Sequence, residues 1–279
     1  MDVEQMRTRP IPASREPLPV VGCGTYMGFD RVPGTGEFAR LPGVLKALFD
    51  AGGSVVDSSP MYGRAEAAVG QVMDEADTRE EAFVATKVWT TGREAGIRQM
   101  EESVRLLRCD AVDLMQVHNL LDWKVHLRTL REWRDDERVR YIGITHYTSS
   151  AYAEVEEVLR GEPLDFLQIN YSVQEPESAQ RLLPLARERG VAVLVNRPFG
   201  GGGLMRRLAV QPLPAWAGEI GCTTWSQVLL KFALSHPAVT CVIPGSGSPE
   251  HMAQNALAGC GVQPELAWWD DKVEKLRAL

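Results

Sequence analysis

Four residues of this sequence could together move a proton: Asp57, Tyr62, Lys87 and His118. The stretch VVDSSPMYG sets a carboxylate directly after two β-branched residues and a phenol five positions later, while ATK and QVH end two further apolar runs on a lysine and a histidine. A phenol with an ordinary pKa of about 10 is a poor proton donor near neutrality, and a nearby ammonium favours its ionised form. Lys87 can supply that ammonium. A lysine in a partly dry pocket tends to lose its proton, and an adjacent carboxylate opposes the loss, which is the role expected of Asp57. His118 then serves as a second donor toward a substrate oxygen. Any one of these groups is accounted for by a strand end meeting solvent. Three different chemistries at consecutive strand ends, with the Tyr62 phenol on the loop just above, are harder to explain as packing.

Positioning them requires a scaffold that brings strand ends together. From Pro19 the sequence alternates short β-branched runs with longer segments of helical periodicity, the pattern of a parallel sheet wrapped by helices. Strands are expected at 20–25, 54–59, 82–88, 111–118, 140–146, 164–170, 191–198 and 239–245. Helical segments such as LPGVLKALFDAGG and ESAQRLLPLARERG close on glycines suited to a helix C-terminus, and PELAWWDDKVEKLRAL follows the last unit. Eight such units predict an α/β fold, a single (β/α)8 TIM barrel over 19–279 with a terminal helix, preceded by a loose N-terminal arm at 1–18. The alternative is a doubly wound sheet with a second domain. Against it, composition never shifts along the chain and no linker appears, although Phe199 to Thr223 is long for a barrel loop.

In a barrel the C-terminal strand ends face the active site. Here they are Asp57, Lys87, His118, Thr145 with His146, Gln168 with Asn170, Asn196 with Arg197, and Gly245 with Ser246. The loops after strands seven and eight, FGGGGL and PGSGSPEHMAQN, are rich in glycine, and the second leads into a helix, as a phosphate site would need.

Other chemistries find little support. A net charge of −7 argues against a nucleic-acid footprint. Five scattered cysteines fit a reducing cytoplasm, and no window reaches a membrane span. The five histidines form no H-x-H or H-E-x-x-H pair, so no metal site is expected. GCGTYMG departs from a dinucleotide fingerprint in spacing, and neither a P-loop nor a G-x-S-x-G elbow is present.

From about Pro19 to Gly259 the chain resembles the aldo/keto reductase family. Asp57, Tyr62, Gly63, Glu66 and Gly70 are similar to its Asp-x(4)-Tyr-Gly signature, with Lys87 in ATKVW and His118 in VDLMQVH following in the family's order. The resemblance implies reduction of a small-molecule aldehyde or ketone, with hydride from a nicotinamide and a proton from Tyr62. It implies carboxamide contacts at Thr145, His146 and Gln168, adenine-side contacts at Gln254 and Asn255, and a phosphate contact at Ser246. Asn196 stands where the family often has an aromatic platform, beside Arg197. The basic pair that grips the 2′-phosphate in many members falls on Gly245 and His251. NADP is the cofactor expected, with Arg206 or Arg207 replacing the lost cations, and NAD is the alternative. Tyr26, Phe29, Trp89 and Trp123, on the expected rim loops, are candidates to wall an apolar pocket, with core packing the other reading for each, and an open site of broad specificity is expected. A nicotinamide-binding sensor or regulatory subunit is the competing reading, and substrate, direction and oligomeric state are left open.

Overall fold

The computed structural model describes residues 5–278. Its β-branched runs pair side by side in chain order. A short antiparallel hairpin, β1 (Thr8–Pro10) and β2 (Pro17–Pro19), precedes eight parallel strands: β3 (Cys23–Gly24), β4 (Val55–Asp57), β5 (Phe83–Val88), β6 (Val112–Val117), β7 (Val139–Thr145), β8 (Phe166–Asn170), β9 (Ala192–Asn196) and β10 (Cys241–Val242). Parallel bridges between Val21 and Val242 and between Gly24 and Gly245 join β3 to β10 and close the sheet on itself. All eight expected runs are present. The first and last keep the shortest regular ladder, and backbone hydrogen bonds from Gly22 to Val242 (2.9 Å) and from Gly24 to Pro244 (3.1 Å) carry the closure.

The crossovers are helical: α1 (Leu41–Asp50), α2 (Ala65–Ala76), α3 (Arg93–Leu106), α4 (Trp123–Asp135), α5 (Tyr152–Gly161), α6 (Ser178–Glu188), α7 (Gly203–Leu208), α8 (Trp225–Ser235), α9 (Pro249–Ala256) and the terminal α10 (Asp270–Ala278). The long stretch after β9 therefore contains an extra short helix, α7. This is the (β/α)8 barrel expected. Helix α2 lies directly against the end of α3, where a Cβ on Gly70 would sit 2.1 Å from the Leu106 carbonyl oxygen. That contact gives the glycine of the signature a packing reason.

Strand periodicity of two divides each run between two cores. Val56, Val84, Met115, Ile142, Leu167 and Val193 face outward under the helices. Val55, Phe83, Ala85, Leu114, Tyr141, Phe166 and Leu194 face inward and fill the lower barrel, with the Tyr141 and Phe166 rings edge to face at 5.5 Å. Two residues further along the same inward faces come Asp57, Lys87, Gln116 and Gln168. The interior therefore changes from apolar to polar within one residue pair.

The N-terminal segment is not a loose arm. Ile11 and Leu18 are buried and belong to the inner apolar cluster, so the hairpin plugs the barrel floor. Arg9 donates to the Leu234 (2.6 Å), His236 (3.2 Å) and Val239 carbonyls, and Tyr141 donates to Glu16 at 2.7 Å. The physical reason is that a barrel packed with apolar side chains needs an apolar lid at its closed end, and Ile11 and Leu18 provide it. Residues 1–4 lie outside the described residues.

Ile11→Ala should lower unfolding free energy by about 2–4 kcal/mol by leaving a cavity in the floor. Urea unfolding checks this, and wild-type stability in the variant would show that the hairpin lies outside the cooperative unit.

Candidate active site

Asp57 ends β4, Lys87 is the penultimate residue of β5, and His118 follows β6 directly, so the three stand side by side at the barrel mouth. Lys87 Nζ lies 2.7 Å from Asp57 Oδ2 and 2.6 Å from the Ser58 carbonyl, and both ionic side chains are almost wholly buried. The other carboxylate oxygen accepts from Gln168 Nε2 at 2.8 Å and Gln116 Nε2 at 3.3 Å. Asp57 is thus satisfied from three other strands. Gln116 escaped notice in the sequence because it sits inside an apolar run. Its signal was the spacing of two from His118, which puts both on the inward face.

Tyr62 reaches this group from the turn after β4, where its N–H donates to the Ser59 carbonyl at 3.0 Å. Its ring centroid is 5.1 Å from Lys87 Nζ and 5.8 Å from the His118 ring, the two rings edge to face. Carboxylate, ammonium, phenol and imidazole are therefore one connected set.

The electrostatics depart from expectation at one point. Burial pushes the Tyr62 phenol up, and Lys87, although it pulls downward through its charge, does not outweigh that. The phenol keeps its proton near neutrality. Burial also works against the Lys87 charge, yet Asp57, Tyr62 and the hydrogen bond to Asp57 raise the ammonium's pKa overall. His118 is pushed down to about 2, first by burial and then by Lys87 and His146. It is a neutral imidazole at any physiological pH.

Backbone strain accompanies the histidine. Asn119 and Leu120 follow it with φ of 53° and 57°, a left-handed pair rare outside glycine, and the Asn119 N–H donates to Thr145 Oγ1 at 3.3 Å. Thr145 thereby holds the turn that carries His118.

Two adjoining cavities cross the barrel mouth. One, of 480 Å³, is lined by Asp57, Tyr62, His118, Thr145, Gln168, Asn196 and Arg197 among others. The second, of 750 Å³, is lined by Ser246, His251, Gln254 and Asn255, and Gly245 and Phe199 border both. Arg197 directs its guanidinium to Glu175 at 2.9 Å.

Several expected residues fall elsewhere. His146 does not line either cavity; its Nδ1 turns back to accept from the Tyr147 N–H at 3.0 Å, and Tyr147 lines the cavity instead. Arg206 and Arg207 line neither cavity. Arg31 and Arg40 line the larger one, Arg31 paired with Glu37 at 3.4 Å and Arg40 with Glu250 at 2.8 Å. Phe29 is core, and Trp123 packs against the core, whereas Tyr26, Met27 and Met61 line the smaller cavity. Trp89 stands 6.4 Å from His118, partly exposed. Among the described residues no three His, Cys, Asp or Glu side chains gather as a metal site would need, and no helix is long and apolar enough to cross a membrane.

The chain as a whole has relatives among known proteins. The sequence profile of the Aldo/keto reductase family matches residues 21–260. The chain belongs to that family. Methylglyoxal reductase YeaE of Escherichia coli (strain K12) is 28% identical over 250 residues, 86% of this chain and 84% of that protein. An aldo-keto reductase of Mycolicibacterium paratuberculosis is 30% identical over 220 residues, 76% of this chain and 73% of that protein. Among solved structures, an aldo-keto reductase from Klebsiella pneumoniae in complex with NADPH superposes with a TM-score of 0.79 at 23% identity, covering 98% of this chain and 94% of that one.

The family implies a nicotinamide dinucleotide, and the residues present fit one. Asn196 Oδ1 is buried beside the smaller cavity without a hydrogen-bond partner, as an acceptor awaiting an amide would be. The two cavities together give an extended dinucleotide room on one face.

The depressed His118 pKa has a consequence for stability. The unfolded state takes up a proton near pH 6.5 that the folded state refuses until about 2, so stability present above 6.5 is lost as pH falls below it. His118→Asn should remove about one proton from this dependence, ~1.4 kcal/mol per pH unit, between about pH 4 and 6. Urea titrations at several pH values test it, and identical slopes in both proteins would contradict it.

Proposed function

We propose that this chain reduces aldehydes or ketones to alcohols with a nicotinamide dinucleotide, and that Tyr62 gives the proton. The observation that carries this reading is the convergence of Asp57, Tyr62 and His118 on the wall of one cavity, with Lys87 buried behind them against Asp57. When bound, the dinucleotide would supply the hydride. Tyr62 donates its phenolic proton to the carbonyl oxygen as negative charge develops there. Lys87 then steadies the phenolate left behind, at 5.1 Å from the ring centroid. Because burial keeps the resting phenol protonated, the ammonium acts on the charge that appears during reaction rather than by ionising the phenol beforehand. Asp57 keeps Lys87 charged and fixed in direction. His118, neutral, offers a second hydrogen bond to the same oxygen without adding a cation that would compete with Lys87.

Thr145, Gln168 and Asn196 are suited to hold the nicotinamide end, and Ser246, Gln254 and Asn255 the adenosine end. We take NADPH as the dinucleotide. The family's basic pair is absent at Gly245 and His251, but Arg40 and Arg31 line that end from the segment before α1. The Klebsiella pneumoniae protein, solved with NADPH, lends support. For substrate, the cavity's Tyr26, Met27, Met61 and Tyr147 suit a carbonyl compound with an apolar body, and the Escherichia coli relative extends the panel to methylglyoxal.

Cofactor oxidation followed with aromatic, aliphatic and dicarbonyl substrates tests the activity directly. Tyr62→Phe should reduce kcat by about a hundredfold or more while leaving NADPH affinity nearly unchanged, since only the proton donor is lost. Turnover at the wild-type rate in that variant would refute the role of the phenol. Arg40→Ala should weaken NADPH binding about tenfold and leave NADH binding unaltered, because a charge-assisted contact to the 2′-phosphate is removed. Fluorescence titration with both nucleotides measures this, and equal losses for the two would show that Arg40 does not meet that phosphate.

A further inference from the structure

A neutral imidazole carries its single proton on one of two nitrogens, and which one decides whether His118 can donate into the cavity. Nδ1 is turned back into the protein, 2.9 Å from Ser59 Oγ. Among the described residues nothing hydrogen-bonds Nε2, the atom left to face the cavity that His118 lines.

Ser59 is fully buried, so its hydroxyl has no water to fall back on. Its oxygen already accepts the Met61 N–H at 3.3 Å. Among the described residues, the serine proton has one acceptor within reach, His118 Nδ1. If Nδ1 carried the proton instead, Ser59 Oγ would accept twice and its own O–H would be left without a partner in a sealed site, a costly arrangement. The hydrogen-bond count thus selects between two tautomers that positions of heavy atoms alone would leave equivalent.

We propose that Ser59 is a positioning residue: its hydroxyl donates to His118 Nδ1 and fixes the histidine proton on Nε2, where it meets the substrate oxygen. This rests on the reading of His118 as a donor given above. Ser59 follows Asp57 by two residues, in the turn that leaves β4, and its Oγ lies 2.9 Å from His118 Nδ1. One short stretch then serves three members of the site: Asp57 holds Lys87, Ser59 sets the tautomer of His118, and Tyr62 gives the proton. Tyr62 N–H and Met61 N–H both turn back onto Ser59, through its carbonyl and its hydroxyl, so the same turn that aims the phenol orients the hydroxyl.

The test is the imidazole nitrogen spectrum of 15N-labelled protein at neutral pH, without substrate, the His118 signals being identified by their loss in His118→Phe. The expected wild-type spectrum shows a protonated Nε2 and an unprotonated, hydrogen-bonded Nδ1. In Ser59→Ala the His118 signals should shift toward a mixture of tautomers, and kcat/KM for a carbonyl substrate should fall about fivefold with NADPH affinity unchanged. A wild-type Nδ1–H tautomer, or a Ser59→Ala spectrum identical to wild type, would overturn the proposal. Because the spectrum is read without substrate, it stands apart from the turnover assay: a protein that reduces no carbonyl would sink the reductase reading while the tautomer remained measurable.

Discussion

The buried ion pair between Lys87 and Asp57 is the constraint around which the barrel mouth is arranged. Two charges removed from water are tolerated only with close geometry and with their remaining hydrogen-bonding capacity filled. Asp57 accepts from Lys87, Gln116 and Gln168, and Lys87 also donates to the Ser58 carbonyl, so β4, β5, β6 and β8 are tied at one point. A slip of any of those strands by one residue would reverse its inward face and strand a charge or an amide among apolar groups. The pair is therefore a register lock as well as part of the proposed site. Lys87 also helps to keep His118 neutral and pulls against the burial of Tyr62.

Each strand does two jobs in sequence along its length. Lower inward residues such as Ala85, Leu114 and Phe166 pack the interior, and the next inward residues, Lys87, Gln116 and Gln168, are polar. Apolar packing fills one end and the proposed site the other, the division expected of this architecture. The strain at Asn119 and Leu120 sits on the reactive side, where the apolar interior below can offset its cost.

Much of this was legible in the residues. Eight alternating units gave the barrel, and polar residues ending apolar runs marked Asp57, Lys87 and His118. What escaped was either nonlocal or dependent on burial. Arg40 belongs to the first crossover and lines a cavity with residues more than two hundred positions later, so no window of sequence joins them. His146 is next to Thr145, but its ring has backbone N–H donors within reach at Tyr147 and Thr148 and folds back to accept them. The direction of the Tyr62 shift depends on how deeply the ring is enclosed, which charge bookkeeping along the chain does not contain. The hairpin is too short and too rich in proline to announce itself by periodicity.

That hairpin has a bearing on how the chain reaches its fold. Arg9 is held by carbonyls at Leu234, His236 and Val239, and Ile11 and Leu18 pack against Cys241 and Ile243 within one cluster. The carbonyl partners of Arg9 are separated from it by nearly the whole barrel. Such contacts have the greatest loop-closure cost and form after most of the sheet is built. The hairpin precedes all eight parallel strands in the chain, so it emerges during synthesis before the residues it is buried against. The earliest described element thus gains its full set of partners only when the last strand-helix units are in place.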